Sequence, residues 1–146
     1  MIITDINLLL NAYNRDFPDH KSAREWWEGA MNDRDVVGLT WVTILGFIRI
    51  MTNPRSMPNP MPVEAALATV ESWLEMPNVN LVEPGSRHQE ILFHLLREIG
   101  VAGNLTTDAH LAAIAIEYQA KVISTDGDFG RFPGLRWSNP LEKKRK

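Results

Sequence analysis

The sequence contains no cysteine, which removes disulfide frameworks, thiolate zinc sites and cysteine nucleophiles together. That absence suits a reducing compartment, the cytoplasm. Long hydrophobic runs are missing as well. The longest mostly apolar stretch, Val36 to Ile48, ends at the charge of Arg49, well short of the ~20 residues that span a bilayer. It reads as buried core, with no membrane contact. Asp5 interrupts the first apolar run and no basic segment precedes it, so a secretion signal is not expected. Positive charge is also scarce. A formal net charge of −3 argues against a protein that coats nucleic acid by bulk electrostatics, so any such contact must be local. The one basic run, Lys143, Lys144, Arg145 and Lys146, reads either as a phosphate-contacting arm or as a solvated terminus.

What is present is ordinary for a globular chain: 45% hydrophobic and 23% charged residues in a length of 146, enough to bury one core. The expectation is one domain over residues 1–140 followed by a basic tail, 141–146. Ile2-Ile3-Thr4 is a β-branched strand running into Asp5, and Ile6 to Tyr13 reads as a short helix. Asp19 is placed to cap a helix from His20 to Met31, whose Ala23, Trp26, Trp27, Ala30 and Met31 form an apolar stripe. Val36 to Leu39 reads as a strand, and Thr40 as the cap of a helix from Trp41 to Met51 that Asn53-Pro54 stops. After a proline-rich loop, Pro62 opens a helix carrying Leu67, Val70, Trp73 and Leu74. Val79 to Glu83 is the next strand. Ser86 can cap a helix lined by Ile91, Leu92, Leu95, Leu96 and Ile99, with Gly100 as its left-handed ending. Thr106 or Thr107 caps Asp108 to Tyr118, Lys121 to Thr125 is a strand ending at Asp126, and Leu135 to Trp137 a last short one. Strands alternating with helices predict an α/β fold in three layers, α/β/α, around a mostly parallel sheet of four or five strands.

In such sheets ligands bind beyond the carboxyl ends of the strands. Asp5 and Asp126 fall at such ends, and Asp108 sits in the first turn of a helix that can face the same edge. Each has a bland explanation: Asp5 as a helix cap, Asp108 as a first-turn acid complementing the helix dipole, Asp126 with Gly127 as a turn. Three carboxylates gathered at one edge repel one another unless a cation compensates. Oxygen-only ligation without cysteine or a histidine pair favours Mg²⁺ or Mn²⁺ over zinc.

Four stretches carry a family resemblance: Ile3-Thr4-Asp5-Ile6-Asn7-Leu8-Leu9, Thr52-Asn53-Pro54-Arg55, Gly103 to Ala113 with Asn104, Thr107, Asp108 and His110, and Ser124-Thr125-Asp126-Gly127-Asp128-Phe129 followed by Phe132-Pro133-Gly134-Leu135. In this order the chain resembles PIN-domain proteins, specifically the VapC-type toxins of bacterial toxin–antitoxin pairs. The resemblance implies a PIN fold and endoribonuclease activity dependent on Mg²⁺ or Mn²⁺. It also implies a homodimer and a VapB-type antitoxin partner, through which alone DNA would be contacted. By position it assigns Asp5, Asp108 and Asp126 as catalytic metal ligands and Asp128 as an additional one, and it places Ser124 and Thr125 beside the water at the metal.

One position departs from the family. Where PIN proteins usually carry a glutamate on the helix after the second strand, this chain has Gly46, and glycine inside a helix costs about 1 kcal/mol relative to alanine. A close packing contact would explain it. Glu117, nine residues beyond Asp108 and on the opposite face of that helix, cannot substitute; Asp128 is better placed. Arg49, one turn after Gly46, would grip a backbone phosphate or form a surface ion pair. His20, His88, His94 and His110 have no metal-site spacing and read as structural or solvated. The five tryptophans read mostly as packing residues. Two other readings stand beside the nuclease: a phosphohydrolase with Asp5 as covalent nucleophile, and a binding module that lost cleavage with the glutamate.

Overall fold

The computed structural model describes residues 1–142; the basic run Lys143, Lys144, Arg145 and Lys146 lies outside them. Five short strands, β1 (Ile2–Thr4), β2 (Val37–Leu39), β3 (Val79–Leu81), β4 (Lys121–Ile123) and β5 (Trp137–Ser138), form one sheet in the order β3-β2-β1-β4-β5. Every pairing is parallel. The helices are α1 (Ile6–Tyr13), α2 (His20–Met31), α3 (Trp41–Met51), α4 (Val63–Leu74), α5 (His88–Ile99) and α6 (Thr106–Glu117).

Two hydrophobic cores sandwich the sheet. On one side Leu9, Ala23, Trp27, Phe47, Val70 and Trp73 pack α1 to α4 against Val37, Leu39 and Val79. On the other, Ile91, Leu95, Ala109, Ala112, Ala113 and Phe129 pack α5, α6 and the turn after β4 against Ile3 and Val122. The result is the three-layer α/β/α arrangement expected from the alternation of elements. Trp27 and Trp73 are wholly buried, and the Trp73 indole donates to the Tyr13 hydroxyl at 2.8 Å, so the aromatic stripe of α2 and α4 is core.

The helix boundaries follow from local chemistry, with three differences. Thr40 caps α3 by accepting the Thr43 amide, and Gly100 closes α5 at φ 74°, a left-handed conformation that costs glycine nothing. Asp19 and Ser86, however, make no capping bond: α2 begins without one, and Arg87 rather than Ser86 precedes α5. Nor does Thr106 cap α6. It is the first helical residue, and its hydroxyl donates back to the Gly103 carbonyl. In each case a preceding turn already ties the chain, so the side chain is not needed as a stop.

Because the sheet order runs outward from β1 through β2 to β3 and then returns to β4 on the other flank of β1, the direction of winding reverses between β1 and β4. That reversal leaves a crevice at their carboxyl ends. The register pairs Thr4 with Ile123, and the Asp5 amide donates to the Ile123 carbonyl at 3.0 Å. The residues that follow these strands, Asp5 and Ser124 to Asp128, therefore emerge side by side.

Candidate metal-dependent nuclease site

Asp5 is 5% exposed at the head of α1. Its Oδ1 accepts the Ile6 amide at 2.8 Å and its Oδ2 accepts the Ser124 hydroxyl at 2.7 Å. The bland reading of this residue as a helix cap is correct, and it does not exclude the other. Ser124, itself 0% exposed, also accepts the Asp126 amide at 2.9 Å. Asp126 Oδ1 in turn accepts the Asp128 amide at 2.9 Å, which folds the segment after β4 into a tight turn. One serine thus links the carboxylate after β1 to the turn after β4.

Asp108 arrives from the first turn of α6. One carboxylate oxygen from each of Asp108, Asp126 and Asp128 lies within 4.8 Å of the others. Asp5 is not one of that trio, yet its charge reaches it. Burial raises the Asp108 carboxyl, and the charges of Asp5, Asp126 and Asp128 raise it further, to about 6. Asp5 is raised as well, first by burial, with the Ser124 hydrogen bond the largest influence holding it down and Asp126 adding repulsion. Little cationic charge relieves this. Among the described residues, the one ion pair these carboxylates make is with Arg131, 4.0 Å from Asp128, both side chains about half exposed. Four acids with no adequate counter-charge, all oxygen donors, fit a hard divalent cation.

The remaining sequence expectations fall into place around this edge. Gly46 is buried, and a Cβ on it would lie 2.5 Å from Ile6 Cδ1. The close packing expected there is real: the Ile6 Cδ1 methyl must turn aside before a side chain fits at this position. Glu117 points elsewhere: its two oxygens accept the amides of Gly85 and Arg87 at 2.8 and 2.9 Å. Arg49 is exposed and forms no ion pair among the described residues. His88 and His110, 22 positions apart, meet at 2.9 Å between Nε2 and Nδ1. Sequence spacing gave no sign of that contact, because it arises from the packing of α5 on α6.

Comparison with known proteins follows the same lines. Residues 2–135 match the PIN domain. Ribonuclease VapC33 of Mycobacterium tuberculosis is 46% identical over 143 residues, covering 98% of this chain and 100% of that protein. Ribonuclease VapC37 of the same organism is 45% identical over 140 residues, covering 96% and 97%. The solved VapBC-1 structure from nontypeable Haemophilus influenzae, 18% identical and covering 97% of this chain and 100% of that one, shares the fold at a TM-score of 0.70. The chain belongs to the PIN-domain family, among its VapC ribonucleases.

Proposed function

We propose that this protein is the endoribonuclease toxin of a VapBC-type pair, cutting RNA phosphodiester bonds by hydrolysis with Mg²⁺, or Mn²⁺ in its place. The observation that carries this reading is the convergence of four carboxylates at one sheet edge, three with oxygens within 4.8 Å, in a chain so close to VapC ribonucleases. Asp108, Asp126 and Asp128 would hold the ion. Asp5 would join the set from the head of α1, where its charge already raises Asp108. A divalent ion in such a place makes water more acidic and stabilises charge on phosphate oxygens.

The protein's own groups do the rest. Ser124 fixes the orientation of Asp5 and the start of the Asp126 turn, so the carboxylates stand preorganised rather than ordering around each substrate. One of these aspartates, standing beside the attacking water, would accept its proton as general base. The phosphohydrolase alternative loses ground here: Asp5 is 5% exposed with both oxygens engaged, a poor position for covalent attack. A module that binds without cutting is favoured only by the missing carboxylate at Gly46.

The reading includes one domain over residues 1–140 with a basic tail, cytoplasmic location, a homodimer, and inhibition by a VapB-type antitoxin that alone contacts DNA. Its test is incubation of the purified protein with total cellular RNA in Mg²⁺, Mn²⁺ or chelator, followed by mapping of new ends. Cleavage is expected with either metal and not with chelator. Asp108→Asn and Asp126→Asn should each abolish it with circular dichroism unchanged. Cleavage that survives chelation, or full activity in either variant, overturns the site.

A further inference from the structure

Beside the acidic cluster lies a second, larger opening of about 590 Å³, within the range of small-molecule sites. Its lining includes Ile6, Val42, Leu45, Gly46, Arg49 and Thr107. The smaller hollow that contains Asp5 and Asp108 is lined in part by Ile6, Val42 and Thr107 as well, so the two adjoin across these three side chains. Val42, Leu45, Gly46 and Arg49 recur at the spacing of one helical face, and α3 thus forms one wall. The bare Cα of Gly46 lets that wall approach Ile6 closely.

Two large apolar side chains stand in solvent along this helix: Trp41 is 48% and Leu45 60% exposed. Trp41, Leu45 and Arg49 follow one another at steps of four, a stripe of about 12 Å at 1.5 Å per residue. Trp41 is the first residue of α3, which puts it at the same sheet edge as the carboxylates. Arg49, without an ion pair among the described residues, stands at the far end of the stripe.

We propose that this cleft, with Arg49 in its lining and the exposed Trp41 one helical turn before Leu45, is a subsite for one unstacked nucleotide of single-stranded RNA adjoining the scissile phosphate, a proposal that rests on the ribonuclease reading above. Single-stranded RNA alternates apolar base faces with phosphates. Aromatic side chains stack on the former, and a guanidinium grips the latter in a fork. The arrangement here has the same order: carboxylates for the phosphate that is cut, an exposed indole and apolar wall for the neighbouring base, and an unpaired arginine for the next phosphate. Trp41 and Arg49 are positioning and selecting residues, acting on the substrate's grip rather than on the reacting atoms.

The test uses an RNA oligonucleotide containing one mapped cleavage site, with each nucleotide near the cut replaced in turn by an abasic one. Wild type, Trp41→Phe, Trp41→Leu and Arg49→Gln are compared by kcat/KM in Mg²⁺, with light scattering to follow association state. One abasic position should cost the wild type roughly tenfold, the scale of a stacked base. Trp41→Leu should lose a similar factor on intact RNA and be indifferent to that abasic position, while Trp41→Phe keeps most of the rate. Arg49→Gln should raise KM with little change in kcat. Equal abasic penalties in wild type and Trp41→Leu overturn the subsite. So does dissociation of a dimer by Trp41→Leu with activity restored at higher protein concentration, which makes the stripe a surface between copies. Failure of the wild type to cut any RNA defeats the ribonuclease reading itself.

Discussion

Ser124→Ala removes one oxygen from the interior of the site and leaves every carboxylate in place. In the native protein that hydroxyl donates to Asp5 at 2.7 Å and accepts the Asp126 amide at 2.9 Å. A hydrogen bond to a charged group contributes about 1.5–3 kcal/mol, and a partly buried amide left without a partner adds about 1 kcal/mol. Destabilisation of about 2.5–4 kcal/mol follows, equivalent to a fall of roughly 5–15 °C in Tm for a domain of this size. Loss of the largest influence that lowers the Asp5 carboxyl also raises it further, so cleavage in Mg²⁺ should need a higher pH than in the wild type. The assay is thermal unfolding in chelator followed by circular dichroism, paired with a pH profile of RNA cleavage. A Tm drop below about 2 °C, under 1 kcal/mol on the same scale, together with an unmoved acid limb would refute the idea that Ser124 organises the two strand ends.

Proton linkage at Asp108 gives a second expectation. Its carboxyl sits above the ordinary 3.8, at about 6, so the metal-free protein gains stability from this group at low pH and loses it as pH rises from about 4 through about 6. Mg²⁺ binds the charged form, and millimolar Mg²⁺ should therefore raise Tm more at pH 7.5 than at pH 5; an equal rise at both would argue against binding at this cluster. The contact at Gly46 gives a third. Gly46→Glu alone should destabilise the fold by no more than about 2 kcal/mol, since overpacking against Ile6 is partly offset by the removal of a mid-helix glycine, and should not improve metal binding. Gly46→Glu with Ile6→Ala opens the space and should tighten Mn²⁺ in calorimetry; a single variant that binds more tightly and folds normally would contradict the steric account.

Much of this architecture is legible in residues whose message is local. Thr40 before α3, Gly100 after α5, and the apolar stripes of α2 and α4 depend on neighbours within a few positions, and the structure reproduces them. The acids at strand ends were also legible, because a parallel sheet sends the residue after each strand to a common edge. What sequence could not supply was partnership over distance. Ser124 meets Asp5 across 119 positions, His88 meets His110 across 22, and Ile6 meets Gly46 through the packing of α1 on α3. Asp19 and Ser86 were misleading for the opposite reason: both residue types favour helix starts, but at these two places backbone turns did the work.

Asp5 begins α1 and also contributes charge to the cluster. A lineage drifting away from activity could not discard this acid cheaply, since the first amide of the helix would lose its acceptor. Asp128, exposed in the short 3-10 turn Gly127–Arg131, has no backbone amide to hold among the described residues and carries no such obligation. Silent descendants of this protein should therefore keep the first aspartate long after the last has gone, and its presence alone is a poor sign of a working enzyme.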